Sequence, residues 1–155
     1  MKTFGSIAGF VAHLNTLAAA EKAALQRGLR QCAEAVENTA KAEFGGSQEG
    51  GGPFPAWQAL APATVAGRAA QGGDAGAPLV GSGALRDSIS HDVQGLSATI
   101  GSNSEVMAYQ ELGTANMPPR PVLGPALLRN KELIEETLGR AAAAGLLHGS
   151  GVGIE

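Results

Sequence analysis

The chain has 155 residues, enough for one domain with a modest core. Its formal net charge is −3, and its lysines and arginines are scattered singly. That excludes the concentrated basic surface that grips a phosphate backbone. Cys32 is the only cysteine, which excludes an internal disulfide and a cysteine-based metal cluster. No uncharged apolar run reaches the length of about 18 residues that a membrane-spanning helix needs. The first residues, Met1 to Gly5, lack the apolar core and cleavage site of a secretory signal, so a soluble cytoplasmic product is expected. Hydrophobic residues make up 44% of the chain but aromatics only 4%, and 23 glycines must be ordered on folding. A monomer with so few large apolar side chains is marginally stable, which makes burial between subunits a plausible further source of stability.

Ser6 can cap a short helix carrying Ile7, Phe10, Val11, Leu14 and Leu17. From Ala18 to about Phe44 the spacing predicts a long amphipathic helix. Leu25, Leu29, Cys32, Val36 and Phe44 lie on one face, and alanines elsewhere would allow another helix to approach closely. Gly45-Gly46 ends it. Residues 45–56 form a Gly- and Pro-rich break, Trp57, Leu60 and Thr64 a short helical piece, and residues 69–78 a second loop. Together they predict an extended mobile arm over 45–78. Ser82 caps a brief helix near Leu85. Residues 88–94 and 96–101 alternate as an antiparallel hairpin about Gly95, with Ile89 and Val93 on one strand and Leu96, Ala98 and Ile100 on the other. Val106 to Gly113 suggests a turn or short helix, and Met117 to Pro121 must be extended before its prolines. Pro125 opens a last helix through Ala142, and residues 149–155 form a tail expected to lack order of its own. No internal repeat is present. The organisation is a single domain: 1–44 helical, 45–78 arm, 79–148 hairpin plus C-terminal helix, 149–155 tail. The expected class is α+β, with the long N-terminal and the C-terminal helix packed on a small antiparallel sheet.

Chemistry is hard to assemble from these residues. Ser90, His91 and Asp92 are consecutive on a strand and point to alternate faces, so they do not converge. Ser82 with His91 and Asp87 lacks the strand–turn–helix elbow of a serine nucleophile. His13, His91 and His148 have no metal-ligand spacing, and Glu132, Glu135 and Glu136 read as a charged helix face. Neither a phosphate-binding loop nor a dinucleotide fingerprint occurs. The expectation is no catalytic residue, no cofactor and no metal.

Several strings in the second half nevertheless share one order. Pro78-Leu79-Val80-Gly81-Ser82-Gly83-Ala84-Leu85-Arg86-Asp87-Ser88-Ile89 resembles the "PL-x-x-(T/S)-G-x-L-x-x-S-I" signature of phage virion morphogenesis and neck proteins. Trp57-Gln58-Ala59-Leu60 with Thr64 resembles the "W-x-x-L-x-x-x-T" element of the Mu-like branch. Gly101-Ser102, Tyr109-Gln110-Glu111-Leu112-Gly113-Thr114 and Met117-Pro118-Pro119-Arg120-Pro121-Val122-Leu123 are similar to three further elements. Val122 stands where an aromatic is usual. The resemblance, carried across about residues 54–128, is to the Mu-like virion morphogenesis or tail completion family, related to lambdoid-type neck proteins.

That resemblance implies a structural protein of a tailed bacteriophage, found in the virion neck or tail and in the host cytoplasm during assembly. It implies a homo-oligomeric ring, taken as six-fold because tails are built that way, which completes the tail and joins it to the head. Its partners would be head-completion or connector proteins and tail terminator or tail tube proteins, with DNA only passing through the lumen and no membrane. Alternatives from other classes are a small host-directed binding or regulatory module and a serine hydrolase. The candidate subunit-interface residues are Trp57, Leu60, Leu79, Leu85, Ile89, Tyr109, Glu111 and Arg120. Trp57 is either a core plug or an interface anchor. Glu111 and Arg120 are either a charge pair about the Gly113 turn, or Arg120 simply caps a local carbonyl.

Overall fold

A computed structural model describes residues 6–70, 72, 76 and 78–150, with the side chains of 146–150 excepted. Alanine-rich sequence with few β-branched residues makes the first element a single helix, α1, over Ile7–Ala42. The two helices expected on either side of Ala18 are therefore one, because nothing between Leu17 and Glu21 breaks the pattern. Ser6 Oγ accepts the Gly9 amide at 3.1 Å and opens it. Near its end Lys41 pairs with Glu37 one turn earlier, at 2.5 Å. Gly45, at φ +88°, takes the left-handed conformation that lets the chain leave, and its amide donates to Pro78 O at 3.1 Å.

The remaining elements are α2 (Pro62–Ala70), α3 (Ala84–Asp87), β1 (Ile89–Gln94), β2 (Ser97–Ser102), α4 (Glu105–Leu112), α5 (Leu123–Arg129) and α6 (Lys131–Ser150). The class is α+β, as expected, with β1 and β2 forming a two-stranded antiparallel hairpin turned at Gly95 (φ +61°). Ile89, His91 and Val93 alternate inward along β1 against exposed Ser90, Asp92 and Gln94.

Three local expectations shift. The short helix after the first loop begins at Pro62 rather than at Trp57. Proline suits a first helical position, and the Ala61 carbonyl accepts the opening amides of Thr64 and Val65. Gly83 (φ +81°), not Ser82, occupies the cap position of α3, and Ser82 Oγ accepts the Ala84 amide at 3.4 Å. The last helix is broken in two at Asn130, which leaves helical geometry (ψ 4°) while its Nδ2 donates to Ala126 O and to Thr39 Oγ1. Pro125 falls inside α5, within its first turn. The loop at residues 71, 73–75 and 77 and the tail at 151–155 lie outside the described residues.

The chain forms two compact units. One comprises Met1–Cys32, Val93–Ala98 and Glu132–Glu155, the other Ala33–Asp92 and Thr99–Lys131. In the first, α1 and α6 run antiparallel at close range. A side chain at Gly28 would lie 3.1 Å from Ala141 Cβ, and one at Gly145 would lie 2.6 Å from Glu21 Cα. Small residues, rather than the leucines, mark the tight face. The second unit has its core in Ala33, Val36, Ala40, Trp57, Ile89, Met107, Val122 and Ala126. Gly145→Ala is expected to force α6 off α1 and to destabilise the protein by about 1–3 kcal/mol, the ordinary cost of overpacking. Gly139→Ala, which meets nothing, should be neutral or slightly stabilising in the same urea titration.

Candidate functional site

The prolines of Pro118-Pro119-Arg120-Pro121 keep this strand of chain extended, so its polar groups are available to other segments. Two segments use them, residues 57–59 and Gln110. The Trp57 indole N–H donates to Pro121 O at 3.0 Å, across 64 residues of sequence. The Arg120 guanidinium donates to Gln58 O at 3.1 Å and to Ala59 O at 3.5 Å. The Arg120 amide donates to Gln110 O at 2.6 Å. Just beyond, the amides of Val122, Leu123 and Gly124 donate to the Glu111 carboxylate at 2.7, 3.2 and 2.9 Å. Those are the orphan donors at the start of α5, and no side chain of its own caps them. The Glu111 carboxylate supplies both acceptors and negative charge where the helix needs them.

Glycine permits the close approaches. Gly113 has φ +73°, and a Cβ there would lie 2.9 Å from both Met117 O and Pro119 N. A Cβ on Gly124 would overlap the Phe54 ring. Phe54 is positioned by a bridge to Gly51, and Trp57 by its own amide on Gln48 O at 3.0 Å.

Glu111 and Arg120 therefore do not pair with each other; each serves main-chain groups. Trp57 (9% exposed), Ile89 (1%) and Arg120 (7%) are buried within their own chain. Val122, in place of an aromatic, is fully buried. Of the remaining interface candidates, Leu60, Leu79 and Leu85 come together in one groove of about 680 Å³, with Val106 and Met117 beside them and Arg120 in its wall. Leu79, in that lining, has φ +63°, a conformation that a leucine side chain resists. Tyr109, half exposed on α4, lies outside that lining.

The profile of the phage virion morphogenesis family matches residues 8–141. The chain belongs to that family. The matched residues include Trp57, Glu111 and Arg120 and those lining the groove. No curated protein and no solved structure matches the chain.

Two polar constellations escape a reading of the sequence. Glu37 Oε2 lies 2.5 Å from His91 Nδ1, linking α1 to β1 over 54 residues. At the end of α1, Glu43 pairs with Arg129, whose Nη2 also donates to Gln48 Oε1 at 2.9 Å. The one sequence signal for the first is the four-residue spacing of Glu37 and Lys41, which places them one turn apart on α1. Hydrogen bonds from Lys41 and from His91 hold the Glu37 carboxyl below its ordinary value, whereas burial pushes Glu43 up. Ser90 and Asp92 are exposed on the hairpin face opposite His91, and the hydroxyls of Ser88 and Ser102 bond to each other at 2.6 Å.

Glu111→Ala strips three amides of their acceptor and is expected to cost about 2–4 kcal/mol, with Glu111→Gln intermediate, by chemical denaturation. The acid limb of stability carries a second expectation. Because the folded-state pKa of Glu37 is lowered, its contribution is complete above the ordinary 4.5 and is lost as pH falls through the folded value. The raised Glu43 works oppositely, losing stability as pH rises from the same point. Glu37→Gln should therefore flatten the acid-side loss of stability, measured as urea midpoints from about pH 6 to about pH 2. An unchanged acid limb would show that the pair with Lys41 and His91 does not contribute.

Proposed function

We propose that this phage virion morphogenesis protein is a non-enzymatic ring subunit of the neck or tail end, completing the tail and joining it to the head. The observation that carries the reading is that the family's sequence elements are spent on architecture. Trp57, Glu111 and Arg120 bond to main-chain groups of their own unit, and Leu60, Leu79 and Leu85 line an open groove that also carries Gln58, Arg68, Gln110 and Asn116. A framework stiffened in this way and carrying an open apolar surface suits association better than turnover. A chain with few large apolar residues also gains stability from neighbouring subunits. Closed cyclic symmetry, six-fold by analogy with the tail, follows from joining a tube to a head on a common axis. The partners are then head-completion or connector proteins on one side and tail terminator or tail tube proteins on the other, with DNA passing through the lumen.

Mass photometry of the purified chain, alone and with tail or head components, is expected to show a closed homo-oligomer. Phage lacking the gene should accumulate filled heads and tails that do not join, and supplying the protein should restore joining. A chain that stays monomeric with every component, in phage whose heads and tails still join, would refute the assignment.

A further inference from the structure

α1 begins with a convex apolar stripe. Ile7, Phe10, Val11 and Leu14 occupy positions i, i+3, i+4 and i+7 and are 84%, 45%, 48% and 44% exposed. That spacing is how an amphipathic helix presents its side chains to a groove. From Ser6 to Ala20 the helix contains no Asp, Glu, Lys or Arg. The groove described above is the matching concave surface, with Leu60, Leu79, Leu85, Val106 and Met117 in its lining.

We propose that the first turns of α1 of one copy dock in the groove of a second copy of this chain, and so on around the ring. The inference rests on the ring reading and names its contact. Charge supports the choice of occupant. Among the described residues, Arg68 and Arg120 are the charged ones lining the groove, so it disfavours a basic segment; the first cation of α1 is Lys22, beyond the stripe. The contact is heterologous, since the surface given differs from the surface received, and such contacts either close into rings or run on as filaments. Its size fits that behaviour. Fourteen helical residues span about 21 Å and about 10 Å in width, a footprint well under the roughly 800 Å² per partner of a standard stable complex. Two copies therefore associate weakly, and subunits hold firmly only once the circle closes.

Two variants that each break one side test this: Phe10→Asp with Leu14→Asp on the stripe, and Val106→Asp in the groove, both at exposed positions. Helical circular dichroism and melting should match the unaltered chain, and Ile7→Asp provides a second stripe variant. Unaltered protein should form rings, and each variant alone should be monomeric. Mixed at high concentration, the two should form a reversible 1:1 complex that grows no further in sedimentation velocity, because one intact contact remains per pair. Rings from the stripe variant, or two monomeric variants that fail to pair, would overturn the docking proposal while leaving the ring reading standing. An unaltered chain that never assembles would remove the ring reading itself.

Discussion

Glu111 accepts the amides of Val122, Leu123 and Gly124, and much of the larger unit depends on that contact. A seven-residue helix is too short to persist on its own propensity. With its first donors satisfied by a carboxylate from α4, α5 has a fixed start and direction. The extended residues before it then lie where Trp57 and Arg120 can tie them to the segment ahead of α2. Remove the carboxylate and three amides, that of buried Val122 among them, lose their acceptor, loosening Arg120, Pro121 and everything bonded to them. Gly113 belongs to the same constraint, since only a residue without a side chain turns α4 back close enough to Pro119.

The parts of this fold governed by local rules were legible in the sequence. Periodicity placed α1, alternation about Gly95 placed the hairpin, and the prolines of 118–121 required extended chain. What failed to show was non-local. Asn130 breaks the last helix because its side chain is taken by Ala126 O and Thr39 Oγ1, and the latter is 91 residues away. Glu111 and Arg120 look like a pair because they flank one turn, yet their partners are main-chain groups that composition cannot reveal. The leucines of the groove, Leu60, Leu79 and Leu85, were singled out by resemblance, but their convergence required the fold.

The residues singled out in the sequence thus divide by physical role. Trp57, Ile89, Glu111 and Arg120 face inward and fix the shape of the unit. Leu60, Leu79 and Leu85 line the concave surface that the fixed shape creates, with Leu79 held in a left-handed conformation. In the proposed ring such stiffness would favour assembly, because an interface preformed before contact loses less entropy on binding. The uncharged start of α1 adds a second apolar surface of opposite curvature.

The most direct test of this account is a cryo-EM reconstruction of the assembled virion neck. It predicts a ring of this chain in which Trp57 and Arg120 lie inside each subunit, with the groove filled by the first turns of the neighbouring α1. A ring whose subunits meet through Trp57, a ring whose groove stands empty, or a neck from which this chain is missing, would contradict it.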